Sequence, residues 1–167
     1  MGTGILFAAD ELMIQRIRKM RPEERPVYIS EEVEELYFEE YPERTCELEG
    51  SWEAIHRALT GGSFLFDGSA ELTPVILGGE VLYYDGDAQD DFIISAKTPE
   101  QVKAIAEKLP QVSEAEFRKG YKAISADEYP YKSSEDCEEA FGYMSDSISF
   151  WRFAAKNGLW VLFTADL

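Results

Sequence analysis

The stretch SSEDCEEAFGYMSDSISFWRFAAKNGLWVLF, residues 133–163, decides the fold class, because the longest helical pattern of the chain runs directly into its most apolar strand. Ser133 or Ser134 offers an N-cap hydroxyl, and Cys137, Phe141, Met144, Ile148, Trp151 and Ala155 then recur in steps of four and three. That spacing holds them on one face of a helix with 3.6 residues per turn and predicts a core-facing stripe, which Gly142 weakens slightly. Lys156-Asn157-Gly158 is a helix stop. Leu159-Trp160-Val161-Leu162-Phe163 is apolar at every position, as in a strand covered on both faces, so it is expected at the centre of a sheet.

Working outward, strands and helices alternate. Gly4 to Ala9 reads as a buried strand that ends at Asp10, the N-cap of a helix carrying Met13, Ile14 and Ile17 and stopped by Pro22. Ser30 is expected to cap a second helix with Val33, Leu36 and Tyr37 as a narrow apolar stripe. Leu48, Trp52, Ile55, His56 and Leu59 predict a third helix from about Leu48 to Leu59, stopped by Gly61-Gly62. Ser63 to Phe66 reads as a short strand or extended segment, and Ser69 to Leu77 as a short helix closed by Gly78-Gly79. Val81 to Tyr84 and Phe92 to Ser95 flank a polar loop and suggest a hairpin. Thr98-Pro99-Glu100-Gln101 joins an N-cap, a first-turn proline and a capping-box glutamine, and Ser113 with Glu116 opens another helix. The expected architecture is one α/β (or α+β) domain over residues 1–167, with about five short strands in a small mixed sheet and six or seven helices.

The segment from Leu48 to Gly61, LEGSWEAIHRALTG, resembles the signature helix of the YfbM-like family, a bacterial family of unknown function, through its Trp, then His, then Leu-Thr-Gly. The resemblance extends to Leu72–Gly79, to Thr98–Leu109, and to Tyr129-Pro130 with the long helix and final strand. It fits least over Glu31 to Glu43 and at Gly50. It implies a compact mixed α/β domain and no particular activity.

Composition narrows the function. Hydrophobic residues make up 45% of the 167, enough for a substantial core. The 33 acidic against 16 basic residues leave a formal charge of −17, which disfavours direct nucleic-acid binding because phosphate neutralisation needs the opposite sign. No run approaches a membrane span and no signal-peptide pattern opens the chain, while Cys46 and Cys137 stand far apart; a cytoplasmic protein is expected. No cofactor motif is present. One histidine and two separated cysteines make no zinc set, and the acidic loop Asp85 to Asp91 departs from the EF-hand template at Asp90 and Ala96.

Two candidate sites remain. Trp52, His56 and Thr60 lie one turn apart on one helix strip, and a lone imidazole beside a carboxylate could serve a small hydrolase or transferase; the same spacing also describes a core histidine among Ile55 and Leu59. The other is the glutamate-rich segment with Glu34, Glu35, Glu39 and Glu40 interleaved with Tyr37, Phe38 and Tyr41. Charge there steers a basic protein partner and aromatics anchor it, so a non-catalytic binding module is the favoured function.

Overall fold

The computed structural model describes residues 2–66, 68–85 and 92–167. Five strands form one sheet: β1 (Gly4–Ala9), β2 (Thr45–Glu49), β3 (Glu80–Tyr84), β4 (Phe92–Lys97) and β5 (Trp160–Asp166). Their order is β2-β1-β5-β4-β3, so the continuously apolar β5 lies at the centre as its composition predicts. Every pairing is antiparallel, which corrects the expected mixed sheet. Apolar patterning marks strands but carries no sign of direction. The β1–β2, β3–β4 and β4–β5 connections each return to the end of the sheet they left, and that sets the direction.

Helices cover both faces. Ile5, Phe7 and Ala9 of β1 point to one core with α1 (Glu11–Lys19) and the continuous helical run of α2 (Arg25–Tyr28), a π turn (Ile29–Val33) and α3 (Glu34–Glu40). Leu6 and Ala8 point to the larger core with α4 (Trp52–Leu59), α5 (Pro99–Lys108), α6 (Glu114–Lys122) and α7 (Ser134–Lys156). The period-2 alternation of an antiparallel strand thus sorts one segment between two cores.

Local hydrogen bonds agree with the capping expectations. Asp10, Ser113 and Ser133 accept from the backbone N–H groups of Met13, Glu116 and Asp136, and Thr98 with Gln101 forms a reciprocal box. Four element readings change. Ser30 lies inside the π turn and caps nothing, because Pro26 in the first turn of α2 starts the helix earlier. Leu48 belongs to β2, and α4 begins only at Trp52; the chain reverses at Glu49, whose φ of 50° is left-handed. Residues 63–66 form no strand, and the short helix expected at Ser69–Leu77 contracts to a 3-10 turn at Thr73–Val75. Most of the acidic loop Asp85 to Asp91 lies outside the described residues.

The buried face of α7 is also rotated from the expected stripe. Cys137, Ala140, Met144, Ser147, Phe150, Trp151 and Ala154 are buried, whereas Phe141, Ile148 and Ala155 are only partly so. Ala140, Ser147 and Ala154 recur every seven residues on this face, and their small side chains let neighbouring elements approach closely.

Candidate functional site

The run α2–π turn–α3 forms an acidic ridge over the smaller core. Ile29, Val33 and Tyr37 anchor it inward, each four residues from the next. The ring of Tyr37 meets Phe7 edge-on at 5.3 Å, and burial pushes its phenol up to about 12. Tyr37, expected among the partner contacts, is therefore a core residue. Outward stand Glu31, Glu32, Glu35, Glu39 and Glu40, with Glu43 beyond the helix, and Glu34 is half-buried. Burial, with Asp166 nearby, raises the carboxyl of Glu34. None of these glutamates enters an ion pair with a described residue. Leu36, Phe38 and Tyr41 are 41, 40 and 38% exposed among them. Tyr41 is held between the Tyr37 ring, at 5.7 Å, and the Arg44 guanidinium, at 5.5 Å.

A groove of about 350 Å³ opens beside the ridge, lined by Glu23, Pro26, Val27, Ser30, Glu31 and Tyr83. Two carboxylates beside apolar Pro26, Val27 and the Tyr83 ring suit the two halves of a lysine or arginine side chain, an apolar stem and a cationic head.

The other strip lies inside the larger core. Trp52 is fully buried, its Nε1 donating to the Gly2 carbonyl at 2.9 Å and its ring 5.6 Å from Phe163. His56 is 1% exposed. Its Nε2 lies 2.8 Å from the Leu65 carbonyl, which can only accept, so Nε2 carries the proton and Nδ1 is left as a buried atom with no partner. Burial lowers the imidazole to about 4; Lys97 and Arg57 add to that, and the Leu65 contact opposes it. Thr60 donates to the carbonyls of His56 at 2.7 Å and Ser63 at 3.1 Å, closing the end of α4. The spacing did bring Trp52, His56 and Thr60 together, but as core and helix terminus, with no carboxylate hydrogen-bonded to the ring among the described residues.

Two constellations escaped the sequence reading. Lys97 has no exposed surface; its ammonium donates to the carbonyls of Ile76 and Gly78 at 2.5 and 2.7 Å and to the Ser95 hydroxyl at 2.5 Å. Burial holds it well below the ordinary lysine range. Every N–H of the amine has an acceptor within reach, which ties the 76–78 segment to the sheet. The available signal was alternation: Ile93, Ser95 and Lys97 share one face of β4. Arg57 spans α4 and two loops, donating to Glu53 at 2.9 Å, Glu128 at 3.1 Å and the Gly62 carbonyl at 3.2 Å. It is the buried i+4 partner of Glu53 on the helix that carries His56.

A five-stranded antiparallel sheet covered on both faces by helices, with one acidic ridge outward, defines a small α/β domain class. The chain belongs to the family described as Domain of unknown function (DUF1877), which matches residues 1–164. The crystal structure of YfbM from Escherichia coli, a protein of unknown function, is similar along the full length of both chains, with 20% identity and a TM-score of 0.68. That likeness establishes the shared fold and bears out the YfbM-like resemblance. No curated protein matches the chain. Among the described residues, no helix is long and apolar enough to cross a membrane.

Proposed function

We propose that this protein is a non-catalytic binding module whose α2–α3 ridge engages a cationic protein. The observation that carries the reading is the ridge itself: exposed glutamates without ion-pair partners among the described residues, interleaved with exposed Leu36, Phe38 and Tyr41. Unpaired carboxylates keep their field for an approaching partner, and half-exposed aromatic and aliphatic side chains give it surface to bury. The buried, unionised His56 supports the same reading, since a general base must reach its substrate.

The test is capture from the native host cytoplasm at low and high salt, using the parent chain and a variant carrying E34Q, E35Q, E39Q and E40Q. A basic protein held by the parent, released by salt and not held by the variant is the expected result. Equal capture by both chains would remove the ridge from the interface.

A further inference from the structure

On the opposite side of the sheet, where α6 meets the start of α7, a cleft of about 380 Å³ has a different character. It lies at the lower end of the volume range of small-molecule sites, roughly 300–1,000 Å³. Its most buried walls are Tyr121, 5% exposed, and the free cysteine Cys137, 7% exposed. Lys122, Lys132 and Ser134 line the more exposed part.

These parts are held in place. The Tyr121 hydroxyl donates to Asp136 at 2.6 Å and accepts the Ser133 N–H at 3.1 Å, which fixes the ring. Lys132 donates to the carbonyls of Ile124 at 2.7 Å and Lys122 at 3.1 Å, with its ammonium 5.7 Å from the Tyr121 ring centre. Two of its three N–H groups are thus used and one is left over. Neither lysine enters an ion pair with a described residue, whereas the third cation of the cleft, Arg118, is already met by Glu114 and Glu138. Glu135 and Asp136 occupy the first turn of α7, so the positive end of that helix dipole is already opposed and any anion would depend on the two ammonium groups.

We propose that this cleft binds a small organic phosphate monoester, its apolar body against Tyr121 and Cys137 and its phosphate on Lys122 and Lys132. A phosphate monoester carries about −1.5 to −2 charge at neutral pH and three acceptor oxygens, which the two lysines lining one cleft can share. The apolar wall adds affinity that inorganic phosphate cannot use.

Phenyl phosphate, titrated calorimetrically into the full chain, is the probe, with phenol and inorganic phosphate as the half-ligands. Saturable binding of phenyl phosphate is expected, with each half-ligand weaker by about tenfold or more, since each forfeits one of the two contacts. K122Q removes one ammonium and is expected to weaken phenyl phosphate by about tenfold. Its fold is checked by thermal midpoint, because Lys122 serves the structure through its backbone carbonyl and not its side chain. K103Q, on α5, should bind like the parent. The proposal is overturned if phenyl phosphate shows no saturation by about 10 mM, if K122Q binds as tightly as the parent, or if either half-ligand matches phenyl phosphate.

Discussion

At the scale of single residues, burial decides what chemistry a side chain keeps. The His56 imidazole protonates near 4 in the folded chain and near 6.5 in the unfolded one. Between these values the unfolded state binds more protons, so the His56 contribution to stability falls as pH falls from about 6.5 to about 4, by roughly 3 kcal/mol. Denaturant titrations of the parent and His56→Gln at pH 7 and pH 4.5 isolate this contribution. The variant should be less stable at pH 7, with part of the difference lost at pH 4.5; a difference independent of pH would place the ring in contact with water. The sequence told half of this. Helical spacing put Trp52 and His56 on one strip, but it could not distinguish a strip facing a pocket from one facing the Leu65 backbone. Alternation along β4 could have shown the inward face of Lys97 but not its partners, because its acceptors, Ile76 and Gly78, are backbone carbonyls contributed by a distant loop.

At the scale of elements, legibility follows the range of the interactions. Caps and stops depend on groups three or four residues apart, so Asp10, Thr98, Ser113 and Ser133 declared their helices. Thr98→Ala removes an acceptor for the Gln101 N–H and should cost about 1 kcal/mol by chemical denaturation. β2 escaped because Leu48 stands four residues before Trp52 and so reads as the first turn of α4; only pairing with β1 makes it part of a strand. The α7 stripe was rotated because Ala140, Ser147 and Ala154 hold buried positions, and a reading keyed to large apolar residues passes over them. Trp151 belongs to both the expected and the observed face. It is fully buried and its Nε1 has no partner, so its contribution is packing alone. Trp151→Ala should cost about 3–5 kcal/mol through the cavity it leaves, measured as a lowered denaturation midpoint. An unchanged midpoint would mean that α7 rests on the sheet through another face.

At the scale of the whole molecule, chain direction through the sheet and the division into two cores were hidden, because both depend on where each connection re-enters. The charge balance, by contrast, was open from composition, and the fold shows its consequence. The chain carries −17, and the ridge glutamates stand without ion-pair partners among the described residues. Folding brings these carboxylates closer together than the expanded chain does, so their mutual repulsion opposes the compact state. Screening relieves it: the Debye length falls from about 30 Å at 0.01 M ionic strength to about 8 Å at 0.15 M. Stability should therefore rise with sodium chloride over this range. A gain of about 1 kcal/mol would appear as a rise of about 2–4 °C in the thermal midpoint of a domain this size. The variant with four ridge glutamines removes part of the repulsion without salt and should start from a higher midpoint in dilute buffer and gain less from screening. Identical midpoints for the parent in dilute and moderate salt would mean that the repulsion is already compensated in the folded chain.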